Sequence, residues 1–382
     1  MTRFGFLSTY PPTRCGLATF TESLASAMAA PGSQDARIVR VMDEPASETE
    51  TRFGTRPVVA ELINGDASTI EASIRALNAF DIVIVQHEYG IYGGEDGDEV
   101  VTVLEGLTAP SVVVLHTVLD APTSGQKSVL ERVVQLATSV VVMTDAAHDI
   151  LERRFDVDMS KVSVIPHGVI EAQASDVEES RAAEADGRRR VLTWGLIGPG
   201  KGIEWGIRAM AELGDLDPRP EYLVVGKTHP KVLLNEGERY RDGLKQIVAE
   251  LALDDVVRFV DAYPDADQLS SLVNSADVVL LPYDSTGQVT SGVLVEALAA
   301  GKPVVATRFP HSIELLSGGA GVLVEQKNPA ATAEAMRGIF ADTGTAEQMS
   351  MARSQLPSRT SWPEVAARYR ALAERILAVR AA

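Results

Sequence analysis

A chain of 382 residues exceeds what one ordinary core supports and implies two domains, and 45% hydrophobic with 23% charged residues describes a globular protein. The net charge of −18 excludes general electrostatic attachment to nucleic acid or to anionic lipid, both of which need a cationic surface. The single cysteine, Cys15, excludes an intrachain disulfide and a cysteine metal cage. The first residues hold too short an apolar run for a secretory signal, and no segment is long enough to span a bilayer. A cytoplasmic location without membrane insertion is the expectation.

Short β-branched runs alternate with helical patterns almost from end to end, the pattern of parallel α/β units. The first strand candidates are residues 4–8, 38–42, 82–86, 112–116, 140–143 and 162–165, separated by amphipathic stretches such as ATFTESLASAMAA. Residues 171–190 then turn polar and charged, with no strand pattern, and read as a linker whose final three arginines are solvated. A second set follows at 191–194, 222–225, 257–260, 278–281, 304–307 and 321–324. The last stretch, SWPEVAARYRALAERILAVRAA, is an amphipathic helix introduced by Ser361 and Pro363. Two open α/β sheets result, and ligands of such sheets gather at the carboxyl ends of strands.

Those ends carry the chemistry. After the first strand, STYPPTRCGLATF places Arg14 and Gly16 at a helix start: either a turn that needs a glycine, or a site for an anionic or polyhydroxyl group. His87, His116 and His167 each follow an apolar run. One such histidine is usually structural; three at one sheet's ends suit hydrogen bonding to hydroxyls or phosphate, and their spacing does not fit zinc.

In WGLIGPGKGIEWGI, Gly198, Gly200, Lys201 and Gly202 lie between a strand and a helix and read as a phosphate cradle of backbone N–H groups plus one ammonium. The run also matches G-x-x-x-x-G-K, but Gly202 stands where a P-loop needs Ser or Thr for magnesium. The pairs Asp156/Asp158, Asp215/Asp217 and Asp265/Asp267 follow no strand and read as surface. No Ser–His–Asp elbow and no G-x-G-x-x-G at the first domain's start are present, which weakens hydrolase and dehydrogenase readings.

The segment STGQVTSGVLVEALAAGKPVVAT follows a buried strand and starts a helix through Thr290, Ser291 and Gly292, with one inward carboxylate, Glu296. It resembles the donor-site signature of retaining glycosyltransferases of family 4, which have the GT-B fold. Glu296 and residues 297–307 match the second of that signature's two glutamates and its sequel. GLIGPGKGIEWGIRAM, SVVVLHTVLDAP, VSVIPHGV, YPPTRCGLATFTESLA and SWPEVAARY resemble further family motifs, in order, over nearly the whole chain. Two departures stand out: Gln288 occupies the first glutamate's place, and Leu196 the place of a diphosphate-binding arginine.

The resemblance implies two facing Rossmann-like domains around a cleft. Residues 1–170 form the acceptor side, 171–190 the linker, 191–360 the nucleotide-sugar side, and 361–382 a helix returning to the first domain. It implies a hexosyltransferase that needs neither metal nor cofactor, with GDP-mannose favoured over UDP-sugars as donor and a soluble sugar or oligosaccharide as acceptor. Glu296 would bind ribose hydroxyls; Gly200, Thr290, Ser291 and Gly292 would meet phosphate or sugar. Lys201 would bear leaving-group charge with help from Arg14 beside Gly16. His116 and Gln288 would face the donor sugar, and His87 and Glu88 the acceptor. The rival readings are a non-catalytic nucleotide-sugar binder, which Gln288 supports, and a sugar phosphorylase.

Overall fold

The computed structural model describes residues 2–29, 35–45, 54–169, 187–285, 287–341, 343–354, 356 and 361–381. Two compact units divide the chain: Met1–Gly168 with Thr360–Ala382, and Val169–Arg359.

The first unit is built on a seven-stranded sheet of β1 (Phe4–Ser8), β2 (Ala36–Met42), β3 (Val58–Ile63), β4 (Ile82–His87), β5 (Ser111–Leu115), β6 (Ser139–Val142) and β7 (Val162–Val164). Their spatial order is β3-β2-β1-β4-β5-β6-β7, every pairing parallel. Strands β1, β4, β5 and β6 are buried along their whole length. A parallel sheet covered on both faces takes such unbroken apolar runs, which is why these strands were legible. Strand β3 was not. It is an edge strand in which only Leu62 is buried, and its Glu61 pairs with the buried guanidinium of Arg40.

The second unit repeats the plan with six parallel strands, β8 (Arg190–Trp194), β9 (Glu221–Val225), β10 (Val257–Val260), β11 (Val278–Leu281), β12 (Val304–Thr307) and β13 (Val322–Val324), in the order β10-β9-β8-β11-β12-β13. In each sheet the order reverses beside the first strand, between β1 and β4 and between β8 and β11. Chain crossovers leave to opposite faces there, so the strand ends open a crevice.

The arginine run is solvated only in part, Arg189 remaining exposed while Arg188 and Arg190 do not, a departure from the expectation from composition. Arg190 opens β8, is buried and pairs with Glu221. Arg189 binds Asp277 at 2.9 Å, and Arg188 donates to the carbonyls of Arg219 (2.7 Å) and Asp255 (3.0 Å). These three side chains tie the start of the second sheet to its neighbours. Residues 171–186 of the expected linker lie outside the described residues.

The helix Trp362–Ala381 packs within the first unit. Its Val365, Ala366, Tyr369, Leu372 and Ala373 share one core cluster with Phe20, Leu24, Ala25 and Met28 of the helix Gly16–Met28. Trp362 meets Phe20 edge-on with ring centroids 5.0 Å apart, a favoured aromatic geometry. Gly168 makes room for it, since a Cβ there would stand 2.4 Å from the indole. Arg370 donates to the carbonyl of Ala27 (2.9 Å), where the first helix has a free acceptor and a negative dipole end. Among the described residues no helix is long and apolar enough to cross a membrane. Replacing Trp362 by Ala should cost the first unit about 3–5 kcal/mol by loss of transfer energy and a cavity. Urea unfolding measures this, and a loss below about 1 kcal/mol would show that the indole does not hold the helix.

Candidate functional site

In the first unit the loop after β1 is anchored by Tyr10, fully buried, whose hydroxyl accepts from the Arg56 N–H at 2.9 Å. Cys15 caps the following helix, its sulfur accepting from the Ala18 N–H. Gly16 opens that helix on the surface with no atom within 4 Å of where a Cβ would lie. Packing within the unit therefore does not require a glycine there; the position is open. Arg14 beside it is exposed and makes no ion pair with a described residue.

The strand ends of β4, β5 and β7 bring His87, His116 and His167 together. Nε2 of His116 lies 2.7 Å from Oε1 of Gln86, so the carbonyl side of the buried amide accepts its proton. Phe20 stands edge-on to the rings of both His116 (4.8 Å) and His167 (5.1 Å), and His167 also meets Trp362. Burial holds all three neutral: the ring of His87 is lowered to about 4, that of His167 to about 4, and that of His116 to about 3, the last also by the other two histidines. His87 is 0% exposed, and neither ring nitrogen has a hydrogen-bond partner among the described residues. It offers no surface to an acceptor, which corrects the expectation from sequence. Glu88, next in the chain, is half-buried and accepts from the Thr117 hydroxyl.

In the second unit the glycine loop after β8 is shaped by contacts that admit no side chain. Gly202 has φ +59°, and a Cβ on it would stand 2.0 Å from the carbonyl oxygen of Pro282. The hydroxyl residue of a P-loop cannot be accommodated at that place, so the near match to that motif is accidental. The Gly200 carbonyl accepts from the N–H groups of Asp284 (3.2 Å) and Ser285 (3.3 Å), fastening the loop to the chain after β11. Lys201 extends over the ring of Tyr283, its ammonium 4.3 Å from the centroid. Tyr283 is 1% exposed and stacks on Phe309 at 5.1 Å, so the cation rests on a fixed aromatic face.

Glu296, on the helix Gly292–Ala299, has its carboxyl raised to about 7 by burial, opposed by a hydrogen bond from Trp194 at the end of β8. The segment before the helix is braced internally. The Gln288 amide donates to the Thr290 carbonyl, the Ser291 N–H donates to Nδ1 of the buried His311 at 2.8 Å, and the Ser291 hydroxyl caps the helix at the Leu294 N–H. Ser291 is thus occupied and has no N–H for a ligand, a second correction. Gly292 keeps its N–H, since the first turn has no intrahelical acceptor. The Thr290 hydroxyl is buried with no partner among the described residues.

The Asp-x-Asp pairs serve the fold: Asp158 and Asp265 cap helical turns, and Asp215 pairs with Arg337 at 2.9 Å. Trp194, Tyr283, His229 and His311 escaped the sequence reading. The rule that singled out His87, His116 and His167, a histidine soon after an apolar strand, also marks His229 after β9 and His311 after β12.

Below about pH 6.5 the unfolded chain binds protons at these histidines that the folded chain refuses until about pH 4, so acidification through that window withdraws stability. A His87→Leu chain should lose less stability than the native chain between pH 7 and 5 in denaturant titrations; parallel losses would contradict the buried neutral ring. Glu296 works in the opposite sense, its folded value being raised, and cancels in that comparison. Trp194→Phe removes the donor that stabilises the Glu296 carboxylate and should raise its titration above about 7, read by carbon NMR of the labelled side chain. An unmoved titration would exclude the indole as partner.

Residues 176–355 match the family described as glycosyl transferases group 1. Among curated relatives, the D-inositol 3-phosphate glycosyltransferase of Corynebacterium diphtheriae is 29% identical over 244 residues, covering 62% of this chain and 56% of the relative. That of Corynebacterium glutamicum is 27% identical over 266 residues, covering 66% and 61%. The chain thus spans less than two thirds of the length of these relatives. Among solved structures, Anabaena HepE in complex with UDP and glucose superposes with a TM-score of 0.77 at 18% identity, over 98% of this chain and 100% of that one. Sucrose-phosphate synthase of Thermosynechococcus elongatus gives 0.77 at 18%, over 99% and 100%. The chain therefore has the GT-B fold and carries, over residues 176–355, a domain of the glycosyl transferases group 1 family.

Proposed function

We propose that this protein is a retaining, metal-independent hexosyltransferase that moves a sugar from a nucleoside diphosphate to an acceptor hydroxyl. The observation that carries this reading is the array at the order reversal of the second sheet: Lys201 on the glycine loop after β8, and Glu296 on the helix after β11. Glu296 accepts two ribose hydroxyls, whose donation favours the carboxylate over the acid. Lys201, with the N–H groups around Gly200 and Gly292, takes the charge of the leaving diphosphate. The bond from the anomeric carbon to the diphosphate oxygen breaks, the bond to the acceptor oxygen forms on the same face, and the departing diphosphate takes the acceptor proton. The protein positions the reactants and neutralises charge.

In the first unit, neutral His116 hydrogen-bonds sugar hydroxyls, Arg14 and Gly16 form an anion or hydroxyl contact, and Glu88 receives the acceptor. GDP-mannose is the first donor to try, on general likeness to mannosyl-transferring enzymes. UDP-glucose is the second, on the UDP and glucose in the Anabaena structure. The acceptor is a sugar or oligosaccharide; the naming of the curated relatives for D-inositol 3-phosphate adds an inositol phosphate to the screen. A non-catalytic nucleotide-sugar binder is the second reading, favoured by the uncharged Gln288.

Thermal shift against GDP, UDP, ADP and their sugars, without and with magnesium, tests the donor site. Saturation at about 100 times the dissociation constant adds about 2.7 kcal/mol to stability. Lys201→Ala should lower turnover about 100-fold with the fold intact, and unchanged turnover would remove Lys201 from the leaving-group role. Gln288→Glu takes away the donor to the Thr290 carbonyl and should lower activity. A rise would show that charge at 288, not the brace, limits the reaction. Binding of a donor without turnover on any acceptor would establish the second reading.

A further inference from the structure

The glycine loop of the second unit carries one cation, Lys201, yet the chain passing beside it supplies another donor. Gly195 and Gly226 end β8 and β9 in near contact, since a Cβ on Gly226 would stand 1.8 Å from the Gly195 carbonyl oxygen. Beyond them the two loops stay zipped: the Ile197 N–H donates to the Lys227 carbonyl at 2.8 Å, and the His229 N–H to the Ile197 carbonyl at 2.8 Å. The result sets His229 against the loop, its Cβ 3.7 Å from the position a Cβ would take on Gly198.

The ring of His229 is half-buried and its orientation is fixed. Nδ1 accepts from the Lys231 N–H at 3.2 Å, so in the neutral ring the proton sits on Nε2, which has no partner among the described residues. The charges acting on the ring are the ammonium groups of Lys201 and Lys231, and with burial they hold it neutral. The carboxylates of the neighbouring network are engaged elsewhere: Glu238 accepts from Thr228, and both Glu238 and Asp261 pair with the buried Arg241. In a chain of net charge −18, two ammonium groups beside a free N–H donor, with no carboxylate among the charges that act on that ring, form a place for an anion.

We propose that His229 is a further anion ligand of this site, donating from Nε2 to a phosphate oxygen of the nucleoside diphosphate that Lys201 also binds. The inference rests on the donor site proposed above and adds to it a residue from the loop after β9, the strand on the other side of β8. An anion there also offsets the repulsion of the two ammonium groups, so binding favours proton uptake by the ring.

The test is calorimetric binding of inorganic pyrophosphate, GDP, UDP and the free nucleosides to the native chain, His229→Asn and His229→Asp. Both replacements keep a side-chain oxygen that can cap the Lys231 N–H, so folding should survive, which melting curves check. Diphosphate affinity should fall about tenfold in the Asn chain and about 100-fold in the Asp chain, as expected for a charge-assisted bond lost and then reversed, with nucleoside binding unchanged. Diphosphate binding indifferent to both replacements would overturn the role of His229 and leave the donor site standing. Pyrophosphate binding that depends on His229, with no nucleotide preference, would support the anion ligand and sink the donor reading. No binding of any phosphate by the native chain would overturn both.

Discussion

One close contact governs the geometry of the second unit. At Gly202 the backbone enters the left-handed region, and the carbonyl of Pro282 occupies the space any side chain would need. This lets the loop after β8 lie directly on the chain after β11, and the Gly200 carbonyl then gathers the N–H groups of Asp284 and Ser285. Lys201, between the two glycines, is delivered over Tyr283 by that backbone path. A larger residue at 202 would lift the loop away from β11 and carry the ammonium with it. The glycines here are positional requirements of a close approach, and the phosphate cradle is a consequence of that approach.

Charge makes sense only locally. The surface is strongly acidic, yet at the carboxyl ends of β8, β9 and β11 the chain gathers Lys201, Lys231 and the first-turn N–H groups of a helix, with the one inward carboxylate, Glu296, half neutral near pH 7. A ligand with negative charge at one end and hydroxyls nearby fits both features: the cations hold the charge, and hydroxyl donors stabilise the carboxylate they meet. The first unit contrasts with this. Its strand ends present neutral histidines among aromatic rings, suited to hydroxyls and unsuited to strong anions.

The sheets were legible because parallel strands buried on both faces leave unbroken runs of valine and isoleucine, and the edge strand β3 was missed because one solvated side breaks its run. Local composition misled at residues 188–190: three consecutive arginines look solvated until β9, β10 and the turn before β11 supply carbonyls and carboxylates, which are distant in sequence. Lys201, Glu296 and His116 could be singled out because each follows a strand at an end where the sheet opens. Their partners Trp194, Tyr283 and Gln86 could not, since each is an ordinary apolar or polar residue until the fold sets it against a functional group, whereas His311 and His229 obey the same strand-end rule and were passed over. His87 shows the limit of the strand-end rule, which finds the right end of the sheet but not whether the last side chain points out of it or into the core.

Gln288 illustrates how a change of charge can be absorbed by a loop. A carboxylate at that position accepts hydrogen bonds only; the amide both donates and accepts, and here it donates to the Thr290 carbonyl two residues on. The backbone carbonyl of Gln288, whatever its side chain, accepts from the His311 N–H at 3.4 Å, while the ring of His311 accepts from the Ser291 N–H. Residues 288–291 are thereby closed into a small network, one link of which, the side-chain donation from Gln288 to the Thr290 carbonyl, needs a donor that glutamate lacks. The uncharged residue is therefore consistent with the rest of the loop, because the Thr290 carbonyl is placed to receive its N–H.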